Sequence, residues 1–426
     1  MKLNSACPKI IRVYGESQER NIFPLPRFLG NASMTRGYEL QDKREYKDIA
    51  LHYLIRKPGR KYADEIREFD ERFQNNIHIP ENISKYQKLL KEASAEELKN
   101  YEIILCTCPA STNSRLLHGS LVIIDECGMC KEPECLLPLL NHPHARQVVL
   151  IGDHKQLQPI VKNRTAAEKG LQTSLFERYG EQSFMLNKQY RMHESICHFP
   201  SRHFYQNKLI TAISKPVQIP QFWPNTSRPV VFCHVEGAER SLSVSTEEGN
   251  ESSKSNDLEM KEAVRIFREL RSMRKISQIC ILSQYKAQCH LIESELRKTT
   301  DDENYKVCTV VSSQGNEWDF VILSLVRSMP EYEIEKNPSI GWCKRNLGFI
   351  SDEHQINVAL TRAKHGLIII GNKNLLQCDK MWKSLLKEYQ QNNCIVDALT
   401  FVPSFNRMKQ NNPQKRFGAT KNRKNV

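Results

Sequence analysis

Short runs of apolar residues alternate with longer segments in which apolar residues recur every three or four positions. In the first part of the chain, the apolar runs predict buried strands at Ile10–Tyr14, Ile103–Thr107, Leu121–Ile124 and Val148–Ile151. In the second part, they predict strands at Val230–Cys233, Ile279–Leu282, Val307–Val311, Val321–Val326 and Leu367–Ile370. Strands that alternate with helical segments are typical of α/β proteins with parallel sheets.

Helical periodicity is strongest between residues 46 and 100, in segments such as YADEIREFDERF and ISKYQKLLKEASAEELKN. A further helix is predicted within LQTSLFERYG, and another begins at Asn256, where Glu259 follows in the pattern of a capping box. The apolar face of that last helix would consist of Met260, Val264, Phe267 and Leu270. By contrast, the Ser- and Glu-rich segment 236–257 is predicted to be a mobile loop.

Composition points to an intracellular protein with a polyanionic partner. The 426 residues include 62 Lys and Arg against 49 Asp and Glu, a net charge of +13, which favours nucleic acid or an anionic surface. The 14 cysteines follow no disulfide framework, so we expect reduced thiols. Cys127-x-x-Cys130 resembles half of a zinc site, but no second such pair completes it. Because the chain has no apolar run near 18 residues and no signal-like N-terminus, we expect neither secretion nor a membrane span.

Polar residues follow two neighbouring predicted strands at the point where each strand ends. Asp125 and Glu126 come directly after Leu121–Ile124, and Asp153 and Gln156 come after Val148–Ile151. The carboxyl ends of parallel strands meet at one edge of a sheet, where open α/β folds bind ligands. An aspartate there can hold Mg²⁺ through water while a neighbouring glutamate polarises an attacking water, the pairing that NTP hydrolysis requires.

The ordered motifs strengthen this interpretation. In sequence they are IILCTCPAST, VIIDECG, GDHKQLQP, QYRMH, ICILSQYKAQ, VSSQGNEWDFVILSLVRS and NVALTRAKHGLIIIGN. Together they resemble the up-frameshift-like group of superfamily 1 helicases, closely over residues 100–375 and loosely before them. The resemblance implies two RecA-like parallel-sheet lobes of the P-loop NTPase class. We expect a partial first lobe at 1–164 with a helical insertion at about 30–100, a second lobe at 165–400, and a basic, disordered tail at 401–426.

The resemblance also implies a role for individual residues, with ATP and Mg²⁺ as cofactors. Asp125 would bind Mg²⁺ through water, Glu126 would activate the hydrolytic water, and Gln156 would contact that water and the terminal phosphate. Arg191 and Arg362 match the family's two arginines that neutralise phosphate charge, which makes hydrolysis depend on domain closure. Tyr190 would stack on adenine, and Glu317, beside Gly315, would contact the ribose. The implied contacts to single-stranded RNA or DNA are Pro109, Ser111, Tyr285, Gln288, Ser312 and Gln314, with a core role for Tyr285 equally open.

One required motif is absent from the sequence. Nowhere do the 426 residues contain the GxxxxGK[ST] loop whose amides and lysine hold the β- and γ-phosphates. In the family, this loop precedes the strand that corresponds to KIIRVYG, so we expect Met1 to lie downstream of it and the first lobe to lack a central strand.

Two functions from different classes therefore stay open. The first is an ATP-dependent RNA or DNA helicase in a truncated form with weak or no activity. The second is a non-catalytic module that binds nucleic acid or a protein in a larger complex; a nuclease that uses Asp125 and Glu126 is a distant third. Either of the first two predicts a cytoplasmic or nuclear protein without membrane contact.

Overall fold

The computed structural model describes residues 7–23, 46–74, 80–113, 119–213, 219–246, 249–273, 278–298 and 304–401. The chain divides into two compact units, residues 1–183 (unit 1) and 184–426 (unit 2). Except for Phe401, the predicted basic tail lies outside the described residues. None of the described helices is both long enough and apolar enough to cross a membrane.

Unit 1 combines two parallel strand pairs with a helical layer. β1 pairs with β2, and β3 pairs with β4. The strands are β1 (Ile10–Arg12), β2 (Ile103–Leu105), β3 (Leu121–Ile124) and β4 (Gln147–Leu150). The helices are α1 (Glu16–Ile22), α2 (Leu51–Leu54), α3 (Ala63–Gln74), α4 (Pro80–Leu98), α5 (Glu132–Asn141), α6 (Arg164–Ala166) and α7 (Leu175–Arg178).

Two buried clusters hold unit 1 together. Ile11 of β1 packs with Leu51, Tyr86 and Leu98 of the helical layer, which confirms the predicted helices between residues 46 and 100. A polar bridge joins that layer, because Arg56 Nε contacts Asp70 at 2.8 Å and its Nη2 donates to Tyr86 Oη at 2.7 Å. The second cluster lies under β3 and comprises Val122, Ile124, Cys127, Cys135 and Leu175.

Unit 2 contains the larger sheet. Its strands are β5 (Lys188–Gln189), β6 (Ile210–Thr211), β7 (Val230–His234), β8 (Glu239–Thr246), β9 (Gly249–Asn256), β10 (Ile279–Ser283), β11 (Tyr305–Thr309), β12 (Trp318–Ser324), β13 (Ala363–Gly371) and β14 (Ile395–Asp397). Its helices are α8 (Glu194–Phe204), α9 (Asp257–Ser272), α10 (Lys286–Arg297), α11 (Ile340–Leu347), α12 (Glu353–Leu360), α13 (Lys373–Leu376), α14 (Lys380–Gln391) and α15 (Ala398–Phe401).

Six of these strands form one sheet with the order β11-β10-β12-β13-β7-β14, and every neighbouring pair is parallel. The predicted α/β class with a parallel sheet is thereby confirmed. α9 and α10 cover the sheet through a buried cluster that includes Phe267, Ile292 and Phe320. The predicted apolar face of α9 is also confirmed, because Met260, Val264, Phe267 and Leu270 are all buried.

The bounds of several elements differ from the prediction. β4 begins and ends one residue earlier, β11 two residues earlier, and β13 extends four residues further toward the N-terminus. In the LQTSLFERYG segment only Leu175–Arg178 is α-helical. These differences lie at element ends, where apolar runs and hydrogen-bonded ladders need not coincide.

The predicted mobile loop at 236–257 is wrong, because this segment forms the antiparallel hairpin of β8 and β9. Polar contacts with the rest of unit 2, and not an apolar core, hold this hairpin in place. Glu239 bridges Lys254 within the hairpin at 2.6 Å and Arg327 after β12 at 2.8 Å. Ser253 is buried, and its hydroxyl accepts a hydrogen bond from the Ala287 amide at 3.1 Å.

The predicted capping box is half correct. Asn256 caps α9, with its side chain accepting from the amides of Leu258 and Glu259. Glu259 does not return the bond: its carboxylate accepts from Ser324 Oγ at 2.7 Å and from the Val326 amide at 2.8 Å. It therefore joins the start of α9 to the end of β12, where Val326 has a positive φ of 71°.

Glu259 predicts a pH dependence of stability. Burial raises its pKa from 4.5 to about 8, so the folded chain holds a proton that the unfolded chain releases. Its stabilising contribution is complete below about pH 4.5 and is lost as the pH rises toward about 8, with a slope of at most about 1.4 kcal/mol per pH unit. We expect Glu259→Gln to flatten this decline in urea unfolding measured from pH 5 to 8.

The matched control is Glu331→Gln, which changes an exposed carboxylate and should keep the wild-type slope. A Glu259→Gln variant with an unchanged slope would mean that Glu259 is ionised in the folded protein.

Candidate functional site

In unit 1, the ends of β3 and β4 lie side by side. Ile124 is the register partner of Leu150. Beyond the strands, Ile151 N–H donates to Ile124 O at 2.9 Å, and Cys127 N–H donates to Ile151 O at 2.8 Å. Asp125 and Glu126 therefore lie next to the loop that carries Gln156, and both carboxylates are exposed.

Two glycines permit this close approach of backbones. A Cβ added to Gly152 would lie 2.7 Å from Gly128 N, and one added to Gly128 would lie 2.9 Å from Asp153 O. Neither distance is compatible with a side chain at that position. The carboxylate turn and the loop after β4 are thus packed backbone against backbone, which fixes their relative position.

Glu126 has a left-handed backbone conformation, with φ of 52° and ψ of 34°. Residues other than glycine pay roughly 1–2 kcal/mol for this region. Its amide donates to Asp125 Oδ1 at 3.0 Å, so the turn holds the two carboxylates in one arrangement. Strain of this kind is concentrated at functional sites.

Gln156 is held by a residue to which the sequence assigned no role. Its Nε2 donates to Asp153 Oδ2 at 3.0 Å, while Asp153 Oδ1 accepts from the Lys155 amide at 2.9 Å. Asp153 therefore positions the amide group of Gln156. The sequence signal was the acid three residues before that glutamine in GDHKQ.

Exposed carboxylate oxygen at Asp125 fits a hard cation such as Mg²⁺. Nowhere among the described residues do three or more His, Cys, Asp or Glu side chains form a metal-binding group. Mg²⁺ commonly binds through one or two carboxylates together with substrate phosphates and water. Asp125 is suited to this mode of binding, and not to a site in which protein side chains supply all the metal ligands.

In unit 2, two predicted residues 126 positions apart meet. Arg191 Nε donates to Glu317 Oε2 at 2.7 Å, and Arg191 Nη1 donates to Thr361 O at 3.1 Å. Lys364, which the sequence analysis missed, contacts the other oxygen of Glu317 at 2.9 Å. The hydrogen bond from Arg191, with help from Lys364, holds the pKa of Glu317 below its ordinary value.

Arg362 contacts the residue before Glu317 and directly follows Thr361, whose carbonyl accepts from Arg191. It is 2% exposed, and its guanidinium donates to Val358 O at 3.0 Å and Asn316 O at 3.3 Å. Arg362 therefore fixes the segment that leads to Glu317. Tyr190 is 71% exposed, and Gly315 has a φ of 79°, a conformation that favours glycine.

The predicted nucleic-acid contacts differ in accessibility. Pro109 and Ser312 are exposed, and Gln314 is half-buried. Ser312 belongs to a tight turn in which its Oγ lies 3.0 Å from Thr309 Oγ1. Ser111 is buried, and its hydroxyl donates to Cys108 O at 2.6 Å, so its side chain stabilises the turn after β2.

Gln288 and Tyr285 lie in the interior, which corrects the predicted contact at Gln288 and supports the core role that stood open for Tyr285. Gln288 is completely buried: its Oε1 accepts from Asn256 N at 2.8 Å, and its Nε2 donates to Ser324 Oγ at 3.0 Å. Tyr285 is 5% exposed and packs against Phe349 with 5.9 Å between ring centroids. Both side chains are internal, because the hairpin and the end of β12 surround them where the sequence predicted an open loop.

Known proteins resemble the chain along most of its length. Two family models match it, both described as AAA domain, at residues 30–164 and 171–374. The human "3'-5' exoribonuclease HELZ2" is 42% identical over 399 residues, which are 92% of this chain and 14% of that protein. The Neurospora crassa "Regulator of nonsense transcripts 1 homolog" is 35% identical over 330 residues, covering 74% of this chain and 28% of that protein.

A third relative is the "ATP-dependent helicase NAM7" of Saccharomyces cerevisiae, 32% identical over 372 residues. The alignment covers 82% of this chain and 35% of that protein. The chain thus spans between 14% and 35% of the length of these relatives.

The close approach of the glycines predicts a stability effect in unit 1. Gly152→Ala would force the new methyl group against Gly128 N, and overpacking against rigid backbone costs about 1–3 kcal/mol. We expect thermal or urea unfolding of unit 1 to reveal this loss. Gly180→Ala is the matched control, since a Cβ there meets nothing within 4 Å. Equal stabilities of the two variants would show that the turn and the loop are not tightly packed.

Proposed function

Since this chain belongs to the up-frameshift-like superfamily 1 helicases, we propose that it binds single-stranded RNA or DNA and contributes most of the catalytic groups of an ATP-driven helicase. The single observation that carries the proposal is the contact of Arg191 with Glu317, next to the contact of Arg362 with Asn316. These residues come from distant parts of the sequence, and each matches a family motif for nucleotide binding. Tyr190, the residue before Arg191, is exposed. A salt bridge with a purely structural role would not require this exposed aromatic side chain.

In this proposal, the groups of unit 2 act on the phosphates and the nucleoside. Arg191 offers a charge that stabilises developing negative charge on phosphate oxygens. Its present partner, Glu317, would exchange that contact for the ribose hydroxyls when a nucleotide binds. Tyr190, being exposed, is available to stack on a base. Arg362 keeps the segment around Asn316 in place.

The groups of unit 1 act on water and metal. Glu126 accepts the proton of the attacking water, and Gln156, positioned by Asp153, orients that water. Asp125 would hold Mg²⁺, which when bound neutralises charge on the phosphates. The strained turn at Glu126 supports this assignment, because strained backbone is concentrated at functional sites and both carboxylates of the turn are exposed.

The strands of unit 1 also carry apolar side chains that are unusually exposed. Leu105 is 45%, Ile123 is 56% and Val148 is 48% exposed. Parallel strands are normally covered on both faces. We infer that further polypeptide, including a strand with a phosphate-binding loop, covers this surface in the active enzyme.

A non-catalytic binding module is the second candidate. The observation that favours it is the lack of GxxxxGK[ST] within the 426 residues. Such a module would use the same charge excess of +13 to bind nucleic acid in a cytoplasmic or nuclear complex.

ATP turnover separates the two candidates. We expect the 426 residues alone to hydrolyse ATP at background, and a version extended at its N-terminus by a strand, a GxxxxGK[ST] loop and a helix to be roughly three or more decades faster. Those contacts grip the β- and γ-phosphates, and no group at the water can replace them. The measurement is nucleic-acid-stimulated phosphate release.

Glu126→Gln should abolish turnover in the extended form and change nothing in the unextended one. Glu181→Gln, an exposed carboxylate of the same unit, should be silent in both. Robust, Glu126-dependent hydrolysis by the 426 residues alone would mean that another segment cradles the phosphates. No hydrolysis in the extended form would favour the non-catalytic module.

Nucleic-acid binding is tested independently. Fluorescence anisotropy with homopolymer RNA and DNA strands should give an affinity that falls steeply with salt. Ser312→Asp places a negative charge on the exposed loop and should weaken binding about tenfold. Ser339→Asp adds the same charge at the N-cap of α11, where aspartate also caps, and should bind like the wild type. Binding that does not respond to salt would contradict the proposal.

A further inference from the structure

Two cysteines lie close together at the edge of the sheet in unit 2. Cys280 on β10 and Cys308 on β11 have their Sγ atoms 3.7 Å apart. β11 is the outermost strand and pairs only with β10. The register pairs Cys280 with Lys306 and Leu282 with Cys308, so the two cysteines are diagonal neighbours on one face. Cys308 is half-buried, whereas Cys280 is buried.

We propose that Cys308 is an oxidant-reactive thiol that Cys280 resolves into a disulfide between β10 and β11. The oxidant is hydrogen peroxide. The Cys308 thiolate attacks the peroxide oxygen, the O–O bond breaks, and Cys308 becomes a sulfenic acid while hydroxide leaves. The Cys280 thiol then attacks the sulfenic sulfur, the S–S bond forms, and one water is released. Two thiols are oxidised and one peroxide is reduced.

The surroundings of Cys308 favour the thiolate. The hydrogen bond with the Cys280 thiol, together with Ser312 and Lys306, lowers the pKa of Cys308 below its ordinary value despite burial. Among the described cysteines with a displaced pKa, it is the one whose pKa is lowered. Partial exposure, a lowered pKa and a neighbouring thiol are the features of redox-sensitive cysteines.

A second thiol pair in the same chain has the opposite character. The Sγ atoms of Cys127 and Cys135 are even closer, at 3.5 Å, but both residues are fully buried. Burial raises the pKa of both thiols, that of Cys135 to about 12. Burial also raises the pKa of Cys280, so the difference between the two pairs lies in Cys308, which is half-buried and has a lowered pKa. Neither Cys127 nor Cys135 has these properties, and their pair is an internal control.

Bond formation would move the edge strand. The sulfurs must approach from 3.7 Å to about 2.05 Å, the length of an S–S bond. Among the described strands β11 pairs with β10 alone, so its displacement disrupts the pairing with one strand. The strand leads through Thr309 into the turn that contains Ser312. Oxidation would thus shift the loop of Ser312, Gln314 and Gly315.

The test begins with the reduced wild-type chain. A short pulse of iodoacetamide at pH 7, followed by denaturation, a second label and peptide mass spectrometry, should show Cys308 alkylated about tenfold or more faster than Cys106, an exposed cysteine whose pKa is raised. In a separate sample that has not been alkylated, one equivalent of hydrogen peroxide should give a disulfide-linked Cys280–Cys308 peptide on a non-reducing peptide map. The Cys127–Cys135 pair should stay reduced.

Variants separate the two chemical steps. Cys280→Ser keeps a hydrogen-bond donor beside Cys308 but cannot form the bridge, so it should abolish the disulfide and raise dimedone labelling of Cys308 several-fold, because the sulfenic acid persists. Cys308→Ser should leave Cys280 unlinked. Equal alkylation of Cys308 and Cys106, oxidation of Cys127 and Cys135 first, or a Cys289–Cys308 link in place of the proposed one would overturn the proposal. The wild-type measurements decide it even if a variant fails to fold.

The consequence for strand binding rests on the proposed function. Peroxide should weaken RNA or DNA binding several-fold in the wild type, reversibly with dithiothreitol, and should leave Cys308→Ser unchanged. A mapped disulfide in a protein that binds no nucleic acid would reject the proposed function and keep the thiol chemistry. A mapped disulfide with unchanged binding would reject the coupling to the loop.

Discussion

Parallel pairing of neighbouring strands is the constraint on which both units depend. Parallel strands share the direction of their carboxyl ends, so residues that follow different strands reach one edge of the sheet. In unit 1, the pairing of β3 with β4 places Asp125 beside the loop of Gln156. In unit 2, β10, β12 and β13 end in register at Ser283, Ser324 and Ile370. Strand direction therefore accounts for the carboxylate site of unit 1, whereas Glu317 and Arg362 of unit 2 directly precede the first paired residues of β12 and β13, Trp318 and Ala363, at the opposite edge of the sheet.

The sequence predicted most of the sheets because parallel strands are apolar runs. Every predicted strand is present, although several bounds differ, since burial reveals that a strand exists and hydrogen bonds decide where it ends. The hairpin at 239–256 was missed because its strands are polar. The hairpin is ordered by contacts with Arg327, Gln288 and other residues that are distant in the sequence. The composition of the hairpin itself does not indicate these contacts.

The sequence indicated which residues to consider for the candidate site, but it did not indicate which contacts they make. Motif order indicated Arg191, Glu317 and Arg362 without showing that the first two form an ion pair or that the third is buried. Lys364 and Asp153 were missed because their roles consist only of positioning a neighbour. Likewise, the low pKa of Cys308 arises from Cys280, which lies 28 residues away in sequence and on the adjacent strand.

The sheet of unit 2 has a part that polar contacts hold tightly and an edge that is less constrained. Around β12, a buried network of Asn256, Glu259, Gln288 and Ser324 joins the hairpin, α9 and α10, and moving any one member would leave buried polar groups without partners. Among the described residues, β11 pairs with one strand, β10. The loop that follows it carries Ser312, Gln314, Gly315 and Glu317. The start of this loop, around Ser312, therefore has fewer constraints than its end, where Arg362 holds the Asn316 carbonyl and Arg191 and Lys364 hold Glu317.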